Sequence, residues 1–136
     1  MLKSKIHRAR VSEIRLNYPG SILIDSALMK KTGILPYEGV LVADLTNGNR
    51  FETYAVPAPA NSGQVIVLGA AARRVKKNDI VIIFSFAYCT RRRRKSLNQK
   101  LFSWTRTTKS ENRLNSKQAV KIYRCTRNYS EYLLRR

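Results

Sequence analysis

Short apolar runs, some alternating with polar residues, recur along the chain and predict a mainly β domain. Alternation over residues 3–11 predicts a first strand, with Ile6 on one side and Lys5 and His7 on the other. Further strands are predicted at residues 22–24, 40–45, 50–56, 64–68 and 80–88. Many short strands separated by turn residues are typical of a compact β-barrel.

Local capping and turn signals refine this pattern. Asp25 or Ser26 can cap a brief helix that runs through Lys31 and ends at Gly33. Asn47-Gly48 predicts a two-residue hairpin turn. Residues 69–73 are too few, and too closely flanked by strands, to predict a helix.

The composition of the 136 residues indicates one domain with an appendage. A hydrophobic content of 43% is sufficient for a core, and no apolar stretch is long enough to predict a membrane span. The charged N-terminus is not followed by an apolar run, so a secretory signal is not expected. Cys89 and Cys125 match no metal or redox spacing. We therefore expect reduced thiols, no metal site and a cytoplasmic location.

The net charge of +19 is concentrated at the C-terminal end. Residues 1–90 carry +6 and residues 91–136 carry +13. The basic tail, 91–136, shows no sustained period and is expected to be poorly ordered. It contains two apolar clusters with aromatic residues, 101–104 and 129–134. Basic segments with interleaved aromatics can bind single-stranded nucleic acid.

The Gly20–Ser21 step lies inside the segment Asn17-Tyr18-Pro19-Gly20-Ser21-Ile22-Leu23-Ile24-Asp25. A serine hydroxyl can attack the preceding carbonyl if the backbone holds that peptide in a strained turn. Gly20 permits such a turn because it lacks a Cβ, and Pro19 stiffens the approach to it. Taken alone, these residues favour an ordinary tight turn between strands.

Four blocks of residues, in matching order and spacing, resemble the pyruvoyl-dependent aspartate 1-decarboxylase family, bacterial enzymes that make β-alanine for pantothenate. The blocks are residues 3–9, 17–25, 46–54, and 69–73 followed by 78–83. The resemblance spans residue 1 to about residue 88. It implies a six-stranded double-psi β-barrel with small helices, over residues 1–90, that assembles as a homotetramer.

The resemblance also implies how the cofactor is made. The chain would cleave itself between Gly20 and Ser21, giving a β chain, 1–20, and an α chain, 21–136, whose first residue becomes a covalent pyruvoyl group. That ketone would form a Schiff base with L-aspartate and accept the electrons left by departing CO2, so that β-alanine is the product.

The resemblance assigns roles on the strand at residues 50–56. Arg50 and Tyr54 are four residues apart and project from one face, where Arg50 can bind a substrate carboxylate and Tyr54 can protonate the carbanion. Thr53 points to the other face and would assist self-cleavage. Without the resemblance, Arg50 and Tyr54 would be an exposed hairpin face and Thr53 an ordinary strand residue.

Further matches would line the substrate site. Lys5 and His7 would supply positive charge for the dianionic substrate, although a histidine on a basic strand is equally compatible with a surface position. The small residues Gly69, Ala70 and Ala71 would let the backbone approach the substrate, or would simply form a tight turn.

Two features depart from the family pattern. Leu68 stands where the family usually has Asn, and leucine offers no hydrogen-bonding group, so processing could be slower. The basic tail replaces a mixed, often acidic ending. A shift of the coding frame near residue 90 is one hypothesis for it, because codons for residues 103–110 can read Leu-Asp-Glu-Asn-Asn-Lys-Ile in another frame. The rival function is a non-catalytic barrel that binds nucleic acid through the tail. Such binding should weaken steeply as the salt concentration rises.

Overall fold

The computed structural model describes residues 1–90, 100–104 and 120–124. Within these residues the chain forms nine strands, one α-helix and one 3-10 helix. The elements are β1 Leu2–Arg10, β2 Glu13–Arg15, β3 Ser21–Asp25, α1 Ser26–Thr32, β4 Gly39–Asp44, β5 Arg50–Ala58, β6 Val65–Leu68, the 3-10 helix Gly69–Arg73, β7 Ile80–Phe86, β8 Lys100–Trp104 and β9 Val120–Arg124.

Seven strands from residues 1–90 form one curled sheet in the order β2-β6-β3-β5-β4-β7-β1. The strands at its two ends are consecutive in the chain, because only residues 11 and 12 separate β1 from β2. Ser12 fastens this connection: its N–H and its hydroxyl both donate to the Val65 carbonyl, at 2.8 and 2.9 Å. The predicted mainly β fold is confirmed, and the curled sheet is consistent with a double-psi β-barrel.

The sheet has one strand more than the six expected. β2 has only three residues and pairs in parallel with β6, from Glu13↔Ile66 to Arg15↔Leu68. A three-residue strand is too short to show an alternating pattern, so β2 could not be predicted from periodicity.

The core lies on the concave side of the sheet and is built from the inward positions of each strand. Completely buried members include Ile6, Ile22, Val42, Val67 and Ile83, each from a different strand. Leu28 and Met29 of α1 close one side of this core. Because consecutive strand residues face opposite sides, the same alternation sets which residues remain available for a site.

The predicted helix and its caps are confirmed. The Asp25 carboxylate accepts a hydrogen bond from the Ala27 N–H at 2.8 Å, and Gly33 ends the helix in a left-handed conformation with φ 72°. Asp25 also accepts from the N–H groups of Asn61 and Gly63, at 3.0 and 2.8 Å. One carboxylate therefore holds the end of β3, the start of α1 and the loop before β6.

Three local predictions differ from the structure. The hairpin between β4 and β5 is present, but its connection is five residues, 45–49, because Asn47 does not adopt the positive φ that a two-residue turn requires. β5 continues to Ala58, two residues beyond the predicted end of the strand, and these residues pair with β3. Residues 69–73 do form a short 3-10 helix.

The basic tail contributes two strands where no period predicted any. β8 pairs in parallel with β1, from Ser4↔Lys100 to His7↔Ser103, and β9 pairs with β8. Phe102 is buried against the core, so this part of the predicted poorly ordered tail packs on the domain. The arginine run at 91–94, the cluster at 129–134 and Cys125 lie outside the described residues.

Glu38 links three segments of the domain. Its carboxylate accepts a hydrogen bond from Lys3 of β1 at 2.6 Å, another from the Leu35 N–H at 2.7 Å, and a third from the hydroxyl of Ser85 on β7. Burial raises the pKa of Glu38, but these hydrogen bonds outweigh burial and hold the pKa below its ordinary 4.5. The contact therefore stabilises the fold while the carboxylate is ionised.

We predict that Glu38→Gln lowers the free energy of unfolding by about 1–3 kcal/mol at pH 7, because charged hydrogen bonds are lost. The folded pKa lies below the unfolded one, so the contribution is complete above pH 4.5 and is lost as pH falls through the folded pKa. The difference between wild type and variant, measured by urea unfolding, should shrink below pH 4.5. Glu52→Gln, on an exposed carboxylate, is the control and should change little. Equal effects of the two substitutions would contradict the assignment.

Candidate functional site

The Gly20–Ser21 step adopts an unusual backbone conformation. Gly20 and Ser21 both have φ 106°, in the left-handed region that favours glycine. Gly20 accepts this conformation readily, whereas Ser21 carries a Cβ and is strained by roughly 1–3 kcal/mol. Ser21 is also buried, at 3% exposure. The predicted cleavage step therefore joins a partly covered Gly20 to a strained, buried Ser21, and it differs from an ordinary exposed turn.

Two strands hold Ser21 from either side. Ser21 pairs with Leu68 of β6, and the next residue, Ile22, pairs in parallel with Ala55 of β5. Tyr54, which precedes Ala55, therefore lies level with Ser21 on the neighbouring strand. The structure thus brings together two predicted catalytic residues that are 33 positions apart in the sequence.

Gly69 lies against the residues of the cleavage step. A Cβ built at Gly69 would lie 2.7 Å from Gly20 Cα, 2.8 Å from the Tyr18 carbonyl oxygen and 2.9 Å from the Gly20 nitrogen. The backbone of Gly69 is thus in direct contact with the residues before Ser21. Ala70 and Ala71 follow on the 3-10 helix, Ala70 exposed and Ala71 half-buried.

The face predicted for β5 is confirmed. Arg50, Glu52 and Tyr54 are exposed on one side, while Phe51 and Thr53 are partly covered on the other. Within the described part of the chain, Arg50 forms no ion pair, and no hydrogen bond joins the Thr53 side chain to Gly20. The role of Thr53 in cleavage therefore stays a prediction.

Tyr37 is a neighbour of Tyr54 that the sequence analysis did not select. The two rings pack at a tilt with centroids 6.4 Å apart, and the Tyr37 N–H donates to the Ala55 carbonyl at 2.7 Å. Tyr37 itself has φ 62°. The segment Pro36-Tyr37-Glu38-Gly39, with its turn residues, was the available signal that this tyrosine sits on a tight turn.

Strand pairing does not place Lys5, His7 or Arg50 next to Ser21. β1 stands four places from β3 in the sheet order, and Lys5 pairs with Phe84 of β7. Arg50 begins β5, about 13 Å along the strand from Tyr54 at some 3.3 Å per residue. Within one chain, Ser21, Tyr54 and Gly69 therefore lie close together. Lys5, His7 and Arg50 lie elsewhere in the sheet, away from Ser21.

Leu68, which stands where the family usually has Asn, is buried in the sheet. Its side chain is 1% exposed and lies in the sheet directly opposite Ser21. The leucine side chain contributes packing and, unlike that of asparagine, has no group that can hydrogen-bond to the strained serine.

His7 is half-buried on an irregular part of β1. A register shift separates Ile6 from Ala9 in the pairing with β7, and Arg8 within it has φ 62°. The imidazole Nδ1 is buried and has no hydrogen-bond partner among the described residues. Burial, then the charges of Lys5 and Arg8, lower the pKa of His7 from 6.5. The lowered pKa favours the neutral imidazole at pH 7.

No helix among the residues described has the length and apolar character needed to cross a bilayer. In the same residues, no three His, Cys, Asp or Glu side chains gather closely enough to hold a metal ion. A cavity of about 330 Å³ lies on the outer sheet face, lined by Glu38, Gly39, Val40, Leu41, Glu52, Phe86 and Tyr88. None of the predicted site residues lines it.

We predict that the His7 resonance titrates below pH 6.5 in an NMR experiment, which is unambiguous because His7 is the only histidine in the chain. Lys5→Met should move the pKa of His7 upward because a nearby positive charge is removed. Lys30→Met, on the exposed side of α1, should leave it unchanged. A titration at or above pH 6.5 in the wild type would contradict the buried, neutral assignment.

Comparisons with known proteins match this chain to one family. The family model described as aspartate decarboxylase matches residues 1–112. An aspartate 1-decarboxylase of Clostridium botulinum (strain Loch Maree / Type A3) is 58% identical over 90 residues, which cover 66% of this chain and 71% of that protein.

Relatives from other bacteria carry the same name. The aspartate 1-decarboxylase of Coprothermobacter proteolyticus is 54% identical over 87 residues, covering 64% of this chain and 72% of its own. That of Thermosipho africanus is 54% identical over 86 residues, covering 63% and 72% respectively.

Proposed function

Because the chain belongs to the aspartate decarboxylase family, we propose that it converts L-aspartate to β-alanine and CO2 with a pyruvoyl group formed from its own Ser21. The family match supports aspartate decarboxylation, and the pathway implied is the synthesis of pantothenate. The observation that carries the cofactor assignment is the strained, buried Ser21 that follows Gly20.

The residues around Ser21 fit such a group. Ser21 supplies the carbon skeleton, and its φ of 106° strains the backbone beside the peptide bond that must break. Low exposure shields the Ser21 side chain from bulk water, whereas Gly20 is only partly covered. When present, the pyruvoyl ketone supplies an electron sink for decarboxylation.

Self-cleavage then proceeds through bonds of the chain itself. The Ser21 hydroxyl oxygen attacks the Gly20 carbonyl carbon, and the C–N bond breaks to leave an ester and a free amine. Loss of the Ser21 α-proton expels the Gly20 carboxylate and leaves dehydroalanine. Addition of one water releases ammonia and completes the pyruvoyl group. The chain is thereby divided into residues 1–20 and 21–136, with Thr53 proposed to hydrogen-bond the attacked carbonyl.

Substrate binding is assigned to cations and small residues. Arg50 has five fixed N–H donors that match a carboxylate in a two-pronged hydrogen bond. Lys5 provides further positive charge, and Gly69, Ala70 and Ala71 leave room for the substrate near Ser21. The neutral His7 can donate or accept a hydrogen bond.

Tyr54 is proposed to donate the proton that replaces CO2. It lies level with Ser21 on the next strand, and contact with the Tyr37 ring restricts its orientation. A phenol O–H at this position can act as a general acid.

We propose a homotetramer, because one chain separates the residues assigned to a single site. Lys5 and Ser21 lie on strands four places apart, and large apolar side chains such as Phe86 and Tyr88 are exposed. Contact between copies would cover these side chains and could bring Lys5 or Arg50 of one subunit to Ser21 of another. No finding favours the rival nucleic-acid-binding function.

The test is turnover of L-aspartate, with β-alanine followed by NMR. Tyr54→Phe should lower kcat by about 10²-fold or more while KM changes little, because only the proton transfer is lost. Arg50→Ala should instead raise KM about ten- to a hundred-fold, the equivalent of roughly 1.5–3 kcal/mol for a charged hydrogen bond.

Two controls bracket this experiment. Ser21→Ala should abolish turnover completely, and Glu52→Gln, between Arg50 and Tyr54 on the same face of β5, should retain it. Full activity of Ser21→Ala, or no product from the wild-type chain, would refute the proposed function.

A further inference from the structure

Gly69 touches the residues that precede the cleavage step, and the contact is between backbones. The position of an L-Cβ at Gly69 lies 2.7 Å from Gly20 Cα and 2.8 Å from the Tyr18 carbonyl oxygen. Separations below 3.0 Å are not tolerated between such atoms. Since backbone atoms cannot rotate away as a side chain could, any residue other than glycine would displace residues 18–20.

The surrounding sheet fixes Gly69 in this place. Leu68 pairs with Ser21, and the chain turns at Gly69, with φ 63°, to enter the 3-10 helix. Gly69 is itself buried. The pairing of β3 with β6 therefore fixes the distance between Gly69 and residues 18–20.

We propose that Gly69 is a positioning residue for self-cleavage, in addition to any contact with substrate. Its missing side chain creates the space in which residues 18–20 lie, and this placement holds the Gly20 carbonyl where the Ser21 hydroxyl can attack it. The inference rests on the proposed function, because it concerns the reaction that makes the cofactor.

The step affected is the first one. Formation of the ester requires the Ser21 oxygen to reach the Gly20 carbonyl carbon as the C–N bond breaks. A displacement of about 1 Å between reacting groups can slow a reaction by roughly 10²-fold. The later elimination starts from the ester, after the peptide bond has broken, so the contact with Gly69 acts before it.

The experiment compares the cleavage rates of wild type, Gly69→Ala and Gly48→Ala by denaturing mass spectrometry of the freshly purified full chains. Gly48 is the matched control, because its φ is 78° but no atom lies within 4 Å of an added Cβ. Both variants strain a left-handed backbone, and only one closes the space beside Gly20. Gly69→Ala should cleave roughly 10²-fold more slowly than wild type, and Gly48→Ala should cleave at the wild-type rate.

Hydroxylamine identifies the blocked step, because it splits an ester at Ser21 into residues 1–20 and 21–136. Its amide target, the Asn47–Gly48 bond, would give different fragments, 1–47 and 48–136. Folded Gly69→Ala should show no splitting between residues 20 and 21, since no ester has formed. Splitting of Gly69→Ala at that position would overturn the proposal by placing the defect after ester formation. A circular dichroism spectrum of Gly69→Ala that matches wild type excludes loss of fold as the cause of this pattern.

The remaining outcomes are also decisive. Equal cleavage of wild type and Gly69→Ala overturns this inference alone, whereas a wild-type chain that stays whole overturns the proposed function with it. If Gly69→Ala is unfolded, all three chains are compared in sucrose, which favours compact states. Failure to fold even there overturns the proposal, because the contact would then maintain the domain rather than position the cleavage step.

Discussion

The enclosed, left-handed backbone at Ser21 is the constraint on which the proposed chemistry depends. A serine at φ 106° is unfavourable unless the surrounding structure imposes it. Here the neighbours do so: β6 pairs with Ser21 itself, β5 pairs with the residue after it, and Gly69 lies against the residues before it. Strain at one peptide is thereby maintained by hydrogen bonds and packing distributed over three strands.

The rest of the domain serves to keep those strands in place. Ser12 closes the curled sheet where β1 passes into β2, and Asp25 fixes the far end of β3 with three backbone hydrogen bonds. Glu38 connects β1, β7 and the turn that carries Tyr37. Each of these polar side chains forms hydrogen bonds with buried or partly buried donors and acceptors. Together they favour one pairing register for the strands around Ser21.

Much of this could be predicted from the sequence, and the exceptions have physical reasons. Alternation located most strands, and the caps of α1 were correct because Asp25 and Gly33 act locally. β2 was missed because three residues show no period, and the Asn47-Gly48 turn was wrong because Asn47 keeps a negative φ within a longer connection.

The site was predictable only in part. Arg50 and Tyr54 share a face, as strand geometry requires. The neutral state of His7 and the contact of Gly69 with Gly20 depend on burial and on pairing between distant segments, which local sequence does not encode. The pairing of the tail strand β8 with β1 is likewise a long-range contact.

The most direct test of the account is the intact mass of the purified protein under denaturing conditions. We expect two chains, residues 1–20 and residues 21–136, with the larger one lighter by one ammonia than a chain that begins with serine. That mass would establish both the cleaved bond and the pyruvoyl group. A single chain of 136 residues that stays whole after prolonged warming would contradict the central claim that Ser21 is the precursor of the cofactor.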